Sequence, residues 1–137
     1  MTKITILLPT RKRPKALESS LLSLLSLASD PGSIEVLLAV DLDDTETLAW
    51  AENTDINSQT GSEIKVVEFE RLGYHQMHRY LNSLAKVGQG QQFMFWNDDA
   101  EMLTQGWDDI VSALSSEQSL IRDRKSTRLN SSHLGIS

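Results

Sequence analysis

Four short apolar runs punctuate this chain, and stretches of helical periodicity lie between them. The runs cover residues 4–8, 34–40, 64–69 and 92–96. They lack the alternation of a half-buried strand, which suits strands covered on both faces. Between them, Leu17, Leu21, Leu24, Leu25 and Ala28 fall on one helical face, with Pro14 suited to the first helical position. Asp43 and Glu46 have capping-box spacing for a short helix running to Trp50, followed by a polar loop over 53–62. Residues 74–86 read as a third helix, with Met77, Tyr80, Leu81 and Leu84 on its core face, and 107–114 as a last one. Strands that alternate with helices predict an α/β fold: a doubly wound, mostly parallel sheet with flanking helices. Right-handed crossovers would then bring the segments after every strand to one edge of the sheet.

Those segments hold most of the informative polar residues. The fourth run stops at Asn97-Asp98-Asp99, with Glu101 beyond it. Adjacent carboxylates at the end of an apolar strand repel one another unless a cation is near. Hard cations take one or two carboxylates plus substrate phosphates, so this stretch reads as a metal–nucleotide corner; an Asx turn is the plainer alternative. Thr10-Arg11-Lys12-Arg13-Pro14-Lys15 concentrates basic residues after the first strand, either as an anion site beside a helix N-terminus or as a solvated turn. Thr10 and Arg11 lie nearest the strand. Asp41 ends the second run and can accept hydrogen bonds from a base or ribose; Asp43 reads as a helix cap and Asp44 as surface. Arg71 and Gly73 follow the third run, where arginine can grip a diphosphate and glycine allows close backbone approach. His75 and His78 have the spacing of a zinc pair, without a third ligand nearby, and ordinary helix polarity explains them as well.

Composition removes several classes. There is no cysteine, so no disulfide or thiolate metal site exists. The net charge of −6, from 19 acidic against 13 basic residues, argues against a nucleic-acid partner. No run is long enough to span a bilayer, and no leader-like segment opens the chain, so a cytoplasmic location is expected. Residues 123–137 stand apart. From Asp123 to His133 they resemble, in order, the conceptual translation of a common short-read sequencing adapter. They are expected to be a non-native, disordered tail and are set aside from the fold, a natural polar tail being the plainer alternative. The tail carries Arg124, Lys125 and Arg128 against Asp123 alone, so residues 1–122 are more acidic than the whole.

Taken together, Ile4-Thr-Ile-Leu-Leu-Pro-Thr-Arg-Lys-Arg-Pro14, Val36-Leu-Leu-Ala-Val-Asp41 and residues 93–107 resemble the nucleotide-binding half of a GT-A-type, family-2-like glycosyltransferase. The resemblance covers residues 3–115. It implies a nucleotide-sugar donor, often a UDP-sugar, bound with Mn²⁺ or Mg²⁺. By position it implies Thr10 and Arg11 in the nucleotide pocket, Asp41 at the base, Arg71 near the ribose or diphosphate, Asp98 at the ribose and Asp99 on the metal. Two departures matter: Asp41-Leu42-Asp43-Asp44 replaces the family's Asp-Asp-Gly-Ser turn, and Glu101 extends the Asp-X-Asp element and could share the metal. The family's acceptor pocket and general base lie downstream of this element. Residues 1–122 are therefore expected to be a truncated donor half that does not turn over normally, with acceptor and catalytic base unknown. The alternatives are a nucleotidyltransferase, disfavoured because no glycine-rich loop follows the first strand, and a non-catalytic nucleotide-binding module.

Overall fold

The structure, a computed structural model, describes residues 2–121; the tail of residues 123–137 lies outside the described residues. Four strands form one all-parallel sheet: β1 (Ile4–Thr10), β2 (Ile34–Asp41), β3 (Glu63–Phe69) and β4 (Gln92–Phe95), in the order β3-β2-β1-β4. Among the described residues five α-helices flank it: α1 (Pro14–Ser26), α2 (Thr45–Asn53), α3 (Ile56–Thr60), α4 (Met77–Val87) and α5 (Trp107–Ile121). The chain steps from β1 outward through β2 to β3, then returns to place β4 on the other side of β1. The reversal falls between β1 and β4, the position at which open α/β sheets bind ligands.

Two apolar layers hold the helices to the two faces. On one face, Leu17, Leu21, Leu24 and Leu25 of α1, Ile56 of α3 and Trp107 of α5 pack on Ile4, Ile6, Leu8, Val36, Leu38, Val40 and Met94. On the other, Tyr80 and Leu84 of α4 pack on Leu7, Leu37 and Ala39. Doubly wound α/β architecture is thus the observed fold. β1 and β2 are buried almost throughout, which accounts for their unbroken apolar runs. Full burial does not extend to the outer strands. β3 is only half-buried, and Phe93 and Phe95 of β4 are 43% and 37% exposed. Both strands sit at sheet edges, and α4 packs over β1 and β2 rather than over β4. The expected polar loop at 53–62 also contains α3, closed by Gly61 in the left-handed region at φ 83°.

Polar ties hold the connections in register. Trp96, fully buried, donates through Nε1 to Ser20 Oγ at 2.7 Å, and Ser20 Oγ donates to the Asn97 carbonyl, so the segment after β4 is fastened to α1. Asp108, in the first turn of α5, is buried and accepts from the backbone N–H groups of Ser29 and Asp30. At the opposite sheet edge from the polar loops, Glu35 is buried. It accepts from Thr5 Oγ1 at 2.7 Å, Lys65 Nζ at 3.4 Å and the Gln89 N–H. Burial alone would raise its pKa; the Gln89 N–H, the Thr5 hydroxyl and the Lys65 ammonium outweigh it and hold the carboxyl below its usual value. Among the described residues, no helix is long and apolar enough to cross a membrane.

Two expectations follow. A Cβ on Gly90 would lie 2.6 Å from the Thr5 backbone nitrogen, whereas one on Gly32 meets nothing closer than 3.6 Å. Gly90→Ala should therefore lower unfolding free energy by about 2–3 kcal/mol, as overpacking does, while Gly32→Ala leaves the urea midpoint nearly unchanged. Glu35 binds protons less readily when folded, so its contribution is complete above its ordinary pKa of 4.5 and declines as pH falls through the lower folded value. Stability measured by urea unfolding from pH 6 down to pH 3 should fall less steeply in Glu35→Gln than in the wild type.

Candidate functional site

The carboxyl ends of β1, β2 and β4, with the segment after β3, surround a cleft of about 600 Å³. Its walls include Thr10, Arg11, Arg13, Asp41, Arg71, Gly73, Asn97, Asp98 and Asp99, with Pro9, Ala39, Met77 and Tyr80 as an apolar lining. That size and mixture suit a small organic ligand held by a few polar groups. Parallel pairing explains the convergence. Thr10 stands opposite Val40, Asp41 opposite Phe69, and Leu7 opposite Phe95, so the residues that follow each strand emerge side by side.

Two ionic clusters line the cleft. In the first, Arg11 Nη1 donates to Asp41 Oδ2 at 2.7 Å and to Asp43 Oδ1 at 2.7 Å, and Nη2 reaches Asp43 Oδ2 at 3.2 Å. Asp41 is held from its other side by the Tyr80 hydroxyl, which donates to Oδ1 at 2.6 Å. Tyr80 in turn accepts from the Leu72 N–H at 2.9 Å. In the second cluster, Thr10 Oγ1 donates to Asp98 Oδ2 at 2.8 Å, while Arg13 Nη1 stands 3.5 Å from Asp98 and 3.7 Å from Asp99. Thr10 and Asp98 are buried, and Asp99 is exposed.

These contacts set the proton affinities. The Arg11 guanidinium holds Asp43 below the usual carboxylate range. Arg11 is raised in return, chiefly by its bond to Asp43; partial burial opposes the shift and Asp41 adds to it. Burial first and the Asp41 carboxylate second push the Tyr80 phenol upward, so it remains a neutral donor at physiological pH.

The cleft collects Thr10, Arg11, Asp41, Arg71, Asp98 and Asp99 from the sequence-derived set. Glu101 is exposed and stands outside the lining, as do His75 and His78. The assignments of Asp43 and Asp44 are reversed. Asp44 is fully buried and caps α2, accepting from the Thr47 N–H at 3.2 Å and the Thr47 hydroxyl at 2.6 Å. It also accepts from the Lys12 N–H at 2.7 Å, where Lys12 takes a left-handed φ of 54°. Asp43 faces solvent and serves Arg11. One spacing signal was available: Thr47 stands three residues after Asp44, as Glu46 does after Asp43, so the cap depends on which residue opens the helix. Arg13, expected only as part of the basic cluster over 10–15, joins the lining, whereas Tyr80 was read as a core residue and missed as a site residue. A tyrosine on the buried face of a helix needs a partner for its hydroxyl, and that need was the only hint.

A parallel α/β sheet with a polar cleft at its switch point defines the class of architecture. No protein-family profile matches the chain, and no curated protein matches it. Solved structures do. TarS of S. aureus aligns with TM-score 0.65 and 20% identity, covering 85% of this chain and 20% of TarS. The structure of TarS 1–349 in complex with UDP aligns with TM-score 0.64 and 20% identity, covering 84% of this chain and 32% of that one. TarS 1–349 in complex with UDP-GlcNAc gives TM-score 0.58 at 20% identity, over 89% of this chain and 32% of that one. The shared property at this identity is the fold, and the chain spans a third or less of the length of these structures.

The corrected capping assignment is testable. Asp44→Ala removes a cap and leaves the buried Thr47 donors and the Lys12 N–H without their acceptor, so it should cost about 2–3 kcal/mol by chemical unfolding. Asp43→Ala should leave the unfolding midpoint unchanged. The reverse ranking would restore Asp43 as the cap.

Proposed function

We propose that this chain is the donor-binding half of a glycosyltransferase, one that takes a nucleoside-diphosphate sugar, with UDP as the nucleotide. The observation that carries the reading is the meeting of Thr10, Arg11, Asp41, Arg71, Asp98 and Asp99 in one cleft at the switch point of the sheet. The likeness in fold to structures solved with UDP and UDP-GlcNAc supports it.

The roles follow from chemistry. Asp41 is an acceptor in a cleft that Ala39, Met77 and Tyr80 also line, and suits an N–H on the base. Arg71 and Arg13 supply guanidinium groups for the diphosphate, which planar forks recognise well. Thr10 orients Asp98 toward the ribose by the bond it donates. A divalent cation, Mn²⁺ or Mg²⁺, fits the hard carboxylate donors of Asp99 and Asp98. Among the described residues no three His, Cys, Asp or Glu side chains cluster to enclose an ion. Phosphate oxygens and water would therefore have to complete its shell, the usual arrangement for Mg²⁺ on nucleotides. When bound, such an ion supplies positive charge against the negative charge that develops on a departing diphosphate.

Calorimetric titration of the chain with UDP, with and without Mn²⁺, tests this. UDP should bind more tightly with Mn²⁺, and the Asp98→Ala, Asp99→Ala double variant should lose at least about tenfold in affinity and its response to the ion, a change of about 1.4 kcal/mol. Unchanged Mn²⁺-dependent binding in that variant would leave a nucleotide-binding module without the metal corner.

A further inference from the structure

Asp41 has two anchors of different character. Arg11 belongs to the cleft wall, with a side chain 27% exposed, and it already shares its guanidinium with Asp43. It can release Asp41 and keep a two-point contact with Asp43. Tyr80 has no such alternative. It is buried, its ring packs edge-on against Phe69 at 5.0 Å between centroids, and its hydroxyl is committed on both sides, to Asp41 Oδ1 and the Leu72 N–H. The Asp41 side chain is only 5% exposed, because Arg11 covers the oxygen that Tyr80 does not hold. A ligand N–H seeking that carboxylate competes with the arginine for Oδ2, while the tyrosine keeps hold of Oδ1.

We propose that Tyr80 is a positioning residue for nucleotide recognition: its hydroxyl fixes the Asp41 carboxylate facing the cleft, and the same hydroxyl ties that carboxylate to the Arg71–Leu72–Gly73 segment of the opposite wall. Asp41 ends β2, Leu72 follows β3 and Tyr80 lies on α4, so one phenol joins three elements that each contribute to the lining. Base capture and placement of Arg71 are thereby linked through a single buried group. The inference rests on the nucleotide reading above and goes beyond it by assigning a role to a residue that need not touch the ligand.

The test is a double-mutant cycle on the full chain with UDP as the probe. Tyr80→Phe keeps the ring against Phe69 and removes only the hydroxyl. It should weaken UDP binding about tenfold, equivalent to about 1.4 kcal/mol, and should weaken it no further in an Asp41→Ala background. Amide exchange without ligand should be faster at Leu72 in Tyr80→Phe. In the wild type, UDP should slow exchange at Leu72, a measurement that needs no variant. If the wild type binds UDP and Tyr80→Phe binds it equally well, or if the two losses simply add, the positioning role is overturned and the nucleotide reading stands. If UDP leaves Leu72 exchange unchanged in a wild type that binds it, the linkage between the walls is overturned. A folded wild type that takes up no UDP removes the nucleotide reading, and the positioning role with it.

Discussion

Parallel pairing on both sides of β1 is the constraint from which the rest of the structure follows. β1 bonds to β2 along its whole length and to β4 over its first residues, with all three running the same way. Their carboxyl ends therefore share one edge, and side chains far apart in sequence become neighbours. Thr10 and Asp98, separated by 88 residues, are joined by a 2.8 Å hydrogen bond. Arg11 reaches across 30 residues to Asp41. An antiparallel arrangement of the same runs would send alternate loops to opposite edges and divide the polar residues between them.

Once the ends are gathered, satisfaction of buried polar groups decides the local geometry. Asp44 caps α2 and also holds the Lys12 N–H, so the start of one helix and the turn after another strand are fixed by one carboxylate. Removing it would leave several donors unpaired at once, which is why a residue on a turn can matter as much as a core leucine. Glu35 plays the matching part at the opposite edge, where it orders the turn through Gln89 beside Gly90. The cleft thus lies on a sheet fastened at both ends by buried carboxylates.

The strand runs, the helix on Leu17, Leu21, Leu24 and Leu25, and the collection of Thr10, Arg11, Asp41, Arg71, Asp98 and Asp99 at one edge were legible because apolar periodicity and crossover handedness are local or near-universal rules. What was not legible depended on neighbours. Phe93 and Phe95 read as buried, but burial of a strand face requires an element over it, and α4 lies over β1 and β2 instead. Asp43 and Asp44 differ by one residue, and a shift of one in the helix start exchanges cap and surface. Tyr80 has the pattern of a core residue; its hydroxyl's partner lies 39 residues away on β2, beyond the reach of periodicity.

The charges in the cleft carry one further consequence. Asp41 and Asp43 share Arg11, while Asp98 and Asp99 share Arg13, so two of the cationic groups that line the cleft are engaged by carboxylates. A diphosphate entering there competes with those carboxylates for the same guanidinium groups. Its binding is then an exchange of ionic partners rather than a simple addition, and the net gain is smaller than the count of contacts suggests. A divalent cation on Asp99 would relieve that competition, because it gives the carboxylates another counter-charge and leaves Arg13 free for phosphate. On the proposed function, cation and nucleotide would then favour each other's binding.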